Sequence, residues 1–332
     1  MTTGIGSLPH KDPNEACRLV LDTFHIPFWP QLPNLSFREF MIPQFSEGMP
    51  FLKIDDQRET VCIAEGGNDI AGFYEKYSEH MTLPISEHFA EGLHAFIHAV
   101  AGKRFQYLKG HVTGPLTFTL GLKDTRGKAV YFDEELREIS LLLLQAKIRW
   151  QVQMLQHFAD RVIIFIDEPV LSALGSSSYL GVAPGEVLRL LQAATTTIKD
   201  ASAIAGVHCC SNADWPLVIK SGTQIISFDA YGYFESVSLY PGEFTEFLRE
   251  NGCLAWGIVP TTEAISEESA ESVMRRFERG MDLLSKSIPA ELLQSQILLT
   301  PSCGTGSRNI QETEKIFRIL SELSNSLKGK KE

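Results

Sequence analysis

One histidine and two cysteines in the second half of the chain are residue types that bind soft metal ions. The stretch 206–212 reads GVHCCSN and ends an apolar run. On an extended strand His208 and Cys210 point to the same face, while Cys209 points to the other. Cys303, in TPSCGTGS, follows a later apolar run. One imidazole and two thiolates form a donor set typical of Zn²⁺, with a fourth position open for a substrate or an oxygen ligand.

Two aspartates also follow apolar runs. Asp229 ends IISFD and is a candidate oxygen ligand for the same metal. Asp167 ends FID and is followed directly by Glu168. Because neighbouring side chains on a strand point to opposite faces, we expect Asp167 to face the site and Glu168 to face the wall or to cap the next element. A carboxylate in the site would bind an ammonium group, whereas the alternative role for Asp167 is a helix N-cap.

These residues lie at the ends of short Val/Ile/Leu/Phe runs that alternate with long amphipathic segments. Such runs are typical of parallel strands buried on both faces. About eight of them predict a (β/α)8 TIM barrel in a single domain, 1–332, with an irregular insertion and a hairpin around 33–85. An open doubly wound sheet is the alternative, but no Gly-x-Gly-x-x-Gly follows a strand. The predicted strands are Thr3–Gly6, Phe28–Gln31, 105–112, 161–166, 203–208, 224–228, 253–258 and 296–300.

The composition of the chain disfavours several classes of function. The net charge of −11 disfavours binding to nucleic acid, and no apolar run reaches the length of about 18 residues that a membrane span needs. The chain opens without a basic and apolar export segment, so we expect a cytoplasmic protein with reduced thiols. The cysteines outside the candidate site are interpreted as small buried hydrophobic residues: Cys17, Cys62, Cys209 and Cys253.

Six motifs resemble, in order, landmarks of the C-terminal barrel of cobalamin-independent methionine synthase. The wider group includes zinc-dependent thiol methyltransferases and, more distantly, uroporphyrinogen decarboxylase. The resemblance extends over nearly the whole chain, although the synthase carries an additional N-terminal barrel. The motifs are GIGSLPH, VTGPLT, FIDEPVL, VHCCSN, IISFD and TPSCGTGSR.

The resemblance implies a zinc-dependent transfer of a methyl group to a thiol, most simply homocysteine to give methionine. It implies that the zinc ligands are His208, Cys210, Cys303 and, where the synthase has a glutamate, Asp229. It also implies that homocysteine is bound by Ile5 and Ser7 at its carboxylate and by Asp167 and Glu65 at its amino group.

Two departures from the synthase concern the methyl donor. Gly121 is nearest to the place of a folate-stacking tryptophan, and the loop GIVPTTE lacks the histidine that protonates folate. We therefore expect a methylcorrinoid, carried by a partner protein, in place of methyltetrahydrofolate. The alternatives are methyl transfer to another thiol such as coenzyme M, a metal-free decarboxylase, and a non-catalytic protein that binds a metal or docks a corrinoid protein.

Overall fold

The strands in the described part of the protein form two sheets. The structure is a computed structural model that describes residues 1–64, 69–76, 80–174, 179 and 181–329. In chain order the strands are β1 Leu52–Asp55, β2 Thr60–Ile63, β3 Phe105–Thr113, β4 Lys123–Asp124, β5 Ala159–Asp167, β6 Ile204–Cys209, β7 Ile225–Phe228, β8 Cys253–Val259 and β9 Ile297–Pro301.

The larger sheet has six parallel strands in the order β3-β5-β6-β7-β8-β9. Their residues are almost continuously apolar and buried, as expected for strands covered on both faces. The spatial order follows the chain order, without the reversal that defines a doubly wound sheet. The fold is therefore α/β with a curled parallel sheet, consistent with a TIM-like fold.

The first two predicted strands do not become regular strands, which corrects the expectation of eight. Segments 1–8 and 26–31 instead make isolated parallel bridges, Thr2 with Leu299, Ser7 with Gln31, and Phe28 with Lys109. Pro27 and Pro30 lack an N–H group, so the second segment cannot continue a ladder of hydrogen bonds. The two segments lie between β9 and β3. Residues 1–8 make two backbone hydrogen bonds with β9, and residues 26–31 make two with β3.

The helices alternate with the strands of the larger sheet, as predicted, and several further short helices are present. They are α1 Pro13–Thr23, α2 Met41–Ser46, α3 Asp69–Lys76, α4 Glu91–Val100, α5 Pro115–Gly121, α6 Glu134–Gln156, α7 Pro184–Asp200, α8 Trp215–Lys220, α9 Glu235–Ser238, α10 Pro241–Arg249, α11 Ala270–Leu284, α12 Ala290–Ser295 and α13 Ile310–Gly329. Asp12 caps α1 and Pro13 is its first residue, and both residue types favour these positions. The short helices α5, α9 and α12 were not predicted.

The insertion contains the predicted hairpin. Strands β1 and β2 pair antiparallel, from Leu52 with Ile63 to Asp55 with Thr60. The two-residue strand β4 adds to β2 in parallel and completes a second, three-stranded sheet. Sequence reasoning missed β4 because so short a strand has no periodicity of its own.

The inner face of the larger sheet carries a separate apolar cluster, which lies below the candidate site. Side chains alternate along a strand, so Ile163, Phe165 and Asp167 share one face of β5, as Ile204 and His208 share one face of β6. The cluster consists of Ile5, Ile26, Ile163, Phe165, Ile225, Ala255 and Leu298. The inward rows thus change from apolar to polar toward the carboxyl ends of the strands. No helix in the described part of the chain is long and apolar enough to cross a bilayer.

Candidate active site

The three predicted soft ligands meet in space. His208 lies near the end of β6, Cys210 directly follows that strand, and Cys303 follows β9. Their ligand atoms all lie within 4.8 Å of one another. Among the described residues this is the one group of three or more His, Cys, Asp or Glu side chains close enough to hold a metal ion. Carboxyl ends of parallel strands meet at one edge, so residues 93 positions apart can share a site.

The imidazole of His208 is held at one nitrogen and unpartnered at the other. Its Nδ1 lies 2.9 Å from Ser227 Oγ, on the neighbouring strand β7. The Nε2 atom is buried and has no hydrogen-bond partner. Burial lowers the pKa of His208 to about 3, so the ring is neutral near pH 7. A neutral ring whose Nδ1–H donates to Ser227 leaves the Nε2 lone pair available for a metal.

The two thiols interact directly. A hydrogen bond from Cys303 lowers the pKa of Cys210 to about 7. The same hydrogen bond, together with burial, raises the pKa of Cys303 well above its usual value. Both residues are free, half-buried cysteines. One thiolate beside a second sulfur and a free imidazole nitrogen fits the donor chemistry of a structural or catalytic zinc site.

The loop that carries Cys303 is tied to the beginning of the chain by Ser7. Thr305 N donates to Ser7 O at 2.8 Å, and Gly306 N donates to Ser7 Oγ at 3.2 Å. A Cβ atom at Gly304 would lie 2.1 Å from Ser7 Oγ, so this approach requires glycine. Ser7 is therefore placed beside the loop that carries Cys303, and its role in binding a substrate stays a prediction.

The adjacent carboxylates Asp167 and Glu168 point apart, as predicted. Asp167 is buried on the inner face, and its Oδ1 has no hydrogen-bond partner. Burial raises the pKa of Asp167, and the positive charge of Lys109 opposes this rise. Glu168 accepts hydrogen bonds from Leu116 N at 2.9 Å and Thr117 N at 2.8 Å, and so caps α5. The alternative role for Asp167, a helix N-cap, does not occur.

The remaining predicted site residues are less closely connected to the three ligands. Asp229 lies outside the group within 4.8 Å, and its Oδ1 accepts a hydrogen bond from Gly232 N at 2.7 Å. Burial raises the pKa of Asp229 to about 6. Its role as a ligand stays a prediction. Ile5 is buried and its carbonyl oxygen accepts a hydrogen bond from Lys109 Nζ. Glu65 lies outside the described residues.

Three polar residues near the site were not found from the sequence. Ser227 could have been inferred, because it shares a strand face with Asp229 in IISFD. Lys109 and His111 interrupt the apolar strand QYLKGHV, and alternation puts both on one face. A lysine within an apolar strand itself indicates a buried partner group, because lysine is almost never fully buried unless it is paired.

No protein-family model matches this chain, and no curated protein matches its sequence. Among solved structures, a B12-independent methionine synthase from Shewanella sp. W3-18-1, in complex with selenomethionine, aligns with a TM-score of 0.59. The alignment covers 99% of this chain and 98% of that one, at 16% sequence identity.

The chain is similar in fold to this Shewanella enzyme. At such low identity the likeness establishes the fold alone. A GH5 cellulase affiliated with Bacteroidetes aligns over 76% of this chain and 79% of its own, with a TM-score of 0.39 and 13% identity. The Shewanella synthase is matched from end to end, so its chain and this one have nearly the same extent.

Proposed function

We propose that this protein is a zinc-dependent methyltransferase that transfers a methyl group to a thiol, with homocysteine as the acceptor. The observation that carries the proposal is the meeting of His208, Cys210 and Cys303 within 4.8 Å at the carboxyl end of the sheet. The fold shared with a B12-independent methionine synthase adds support. A complete eight-stranded barrel, with segments 1–8 and 26–31 as its first two strands, is part of the proposal.

The donor set fits Zn²⁺. Two cysteine thiolates would offset the charge of the ion, and His208 would add a neutral nitrogen. When bound, Zn²⁺ supplies positive charge that keeps a substrate thiol ionised near neutral pH, where a free thiol is largely protonated. Ser227 holds the His208 ring in the orientation and tautomer that leave Nε2 free. Asp229 is proposed as a further oxygen ligand. The chemistry needs reduced thiols, so we propose that the protein acts in the cytoplasm.

Substrate recognition would use charges on the inner face of the sheet. The carboxylate of Asp167, buried and with a free Oδ1, would bind the ammonium group of an amino acid. Ile5 and Ser7 would lie at its carboxylate end, and Glu65 is proposed as a second amine-binding group. The Shewanella enzyme was solved with selenomethionine, which has the same amino-acid end as the proposed substrate.

The proposed methyl donor is a methylcorrinoid on a partner protein. Gly121 offers no aromatic ring for a folate, and the loop GIVPTTE offers no histidine to protonate one. A second candidate function is methyl transfer to a thiol without an amino group, such as coenzyme M. The buried Asp167 favours an amino acid over that class, because a thiol without a cation would leave this carboxylate unpaired.

The first experiment measures zinc in the purified protein and in two cysteine variants. We expect about one zinc per chain in the wild type and in Cys209→Ala, and little in Cys303→Ala. Cys209 is the matched control, since it adjoins Cys210 but lies buried in the outer apolar core. Absence of zinc from all three proteins, after expression in zinc-supplemented medium, would rule out the proposal.

The second experiment tests turnover. Zinc-loaded protein is incubated with methylcobalamin and homocysteine, and methionine is measured together with the corrinoid absorbance. Methionine formation that is lost in Cys303→Ala supports the proposed function. A zinc-loaded wild type that methylates coenzyme M and not homocysteine supports the second candidate. No turnover with either thiol favours the non-catalytic class.

A further inference from the structure

Lys109 is a buried cation that has no ion-pair partner among the described residues. Its side chain is fully buried on the inner face of β3. The Nζ atom donates to Ile5 O and lies 4.5 Å from the centre of the Phe165 ring. Among the described residues no carboxylate forms an ion pair with it. An ammonium group has three donors, and only one is used here. Burying a charge in this way is costly unless an anion completes the site.

His111 lies two residues further along the same strand face and is also incompletely bonded. The imidazole is 1% exposed and stacks on Trp29, with ring centres 3.7 Å apart and an angle of 24° between the planes. Neither ring nitrogen has a hydrogen-bond partner. In a neutral imidazole one nitrogen carries a hydrogen and the other a lone pair, and a buried site must supply a partner for each.

Both side chains contact the turn at the beginning of the chain. Lys109 bonds to the carbonyl of Ile5, and a Cβ atom at Gly6 would lie 3.0 Å from Cε1 of His111. The next residue, Ser7, bonds to the loop that follows Cys303. The two incompletely bonded groups therefore lie against the same turn that is tied to the metal-binding loop.

A group of opposite charge to Lys109, the carboxylate of Asp167, lies on the neighbouring strand β5. The register between β3 and β5 pairs His111 with Phe165 and Thr113 with Asp167. Asp167 is therefore one inward position beyond His111, on the neighbouring strand. An amino acid carries its carboxylate and its ammonium group on one carbon. A cationic end and an anionic end separated by one inward position suit a ligand with that arrangement of charge.

We propose that Lys109 and His111 bind the carboxylate of an α-amino acid substrate, opposite the ammonium group bound by Asp167. One carboxylate oxygen accepts a hydrogen bond from Lys109 Nζ, and the other accepts one from a ring N–H of His111. The two residues are specificity determinants that select an amino-acid thiol over a thiol without a carboxylate. The inference rests on the proposed function and names the residues that set its substrate class.

The experiment compares two ligands that differ only in the carboxylate. L-methionine and decarboxylated methionine, the thioether amine, are titrated into zinc-loaded protein by calorimetry. Lys109→Met and His111→Leu should each bind methionine about 10- to 100-fold more weakly, the range for a lost charge-assisted hydrogen bond. Binding of the amine should change by less than about threefold. Tyr107→Phe, on the same strand face next to the inner apolar cluster, is the control and should bind both ligands like the wild type.

A second readout separates ligand binding from a structural role. Lys109→Met removes an unpaired buried charge without changing the length of the side chain much. The ligand-free variant should therefore unfold at the same temperature as the wild type or a higher one. A residue kept only for stability would show the opposite change, with a lowered unfolding temperature and both ligands affected alike.

Several results would overturn the inference. Equal weakening for the two ligands would do so, as would wild-type affinity for methionine in folded variants. If Lys109→Met does not fold, His111→Leu decides by the same comparison, and failure of both to fold shows a structural role. A wild type that binds neither ligand also overturns it, while the zinc and turnover measurements decide the proposed function separately.

Discussion

His208 shows how one contact orients a buried ring and leaves its second nitrogen without a partner. Its Nδ1 is held by Ser227 Oγ at 2.9 Å, and its Nε2 is buried without a partner. A buried nitrogen with no partner destabilises a protein unless a ligand uses it. Ser227 is itself fully buried, so the contact is protected from competing water. The hydroxyl therefore fixes the orientation of the ring, and it would support the proposed zinc site in this way.

The first prediction concerns this hydroxyl. Ser227→Ala should weaken zinc binding about 10- to 100-fold, because the ring loses the partner that fixes its tautomer and orientation. Affinity is measured by competition with a chromogenic chelator. Ser221→Ala is the control, since Ser221 is also buried but bonds to Val218 O in the helix α8 region. Unchanged affinity in Ser227→Ala would show that the hydrogen bond does not support the site.

At the scale of elements, helix α5 depends on a residue from another strand. The first N–H groups of a helix need acceptors, and a side chain before the helix commonly supplies one. Here Gly114 precedes the helix and has no side chain to offer. The buried carboxylate of Glu168 accepts from Leu116 N, Thr117 N and Thr117 Oγ1 instead. The helix was not predicted because its cap lies more than 50 residues away.

The second prediction tests this cap. Glu168→Ala should lower the free energy of unfolding by about 2 to 3 kcal/mol, because two buried N–H groups lose their acceptor. Asp133→Ala, at the exposed N-cap of α6, should cost about 1 kcal/mol. Urea unfolding measures both. A loss in Glu168→Ala no larger than that in Asp133→Ala would contradict the interpretation.

A second buried carboxylate joins a loop to a helix. Glu39 accepts from Leu32 N at 2.7 Å and from Gly92 N, in the first turn of α4, at 3.1 Å. Burial raises the pKa of Glu39 to about 7, from an ordinary value of 4.5. The folded protein thus keeps a proton on Glu39 in a pH range where the unfolded chain has released it.

The third prediction follows from this difference. Between about pH 4.5 and 7 the folded state binds more protons than the unfolded state, so the contribution of Glu39 to stability falls as the pH rises. The loss is on the order of 2 kcal/mol over that range. Glu39→Gln removes the titration and leaves a constant offset from its altered hydrogen bonds. The difference in unfolding free energy between the two proteins should therefore change with pH, and parallel curves would contradict this.

At the scale of the whole molecule, the beginning of the chain connects the two outer strands of the sheet. Thr3 N donates to Leu299 O at 3.1 Å, and Gln31 N donates to Gly6 O at 3.1 Å. Lys109 N donates to Pro27 O at 2.8 Å. These bonds belong to the few backbone contacts that link β9 to β3 through two extended segments.

The fourth prediction is that these bonds are as stable as the regular sheet. The amides of Thr3, Gln31 and Lys109 should exchange with solvent as slowly as those in the middle of β5, because opening them requires separation of the sheet. Hydrogen exchange followed by NMR measures this. Amides of the half-exposed hairpin β1–β2 serve as the faster comparison. Exchange of the closing amides at the hairpin rate would show that the sheet is open at this place.

Local pattern accounts for much of the agreement between sequence and structure. The six later apolar runs become β3 and β5 to β9, within two residues of the predicted ends. The first two runs do not, because prolines and single bridges replace a ladder there. The His-x-Cys alternation and the late thiol identify three candidate ligands that meet in space. The position of Asp229 beside Gly232 depends on a loop conformation that the periodicity of the sequence does not predict.

The sequence by itself determined the strand and helix period, the polar residues at strand ends, and which of two neighbouring residues faces inward. These follow from the alternation of side chains and from burial, which are local. Only the tertiary structure decided that Ser227 holds His208, that Glu168 caps α5, and that Lys109 bonds to Ile5. Such pairings depend on the register and curvature of strands far apart in the chain, and local residue pattern does not specify either.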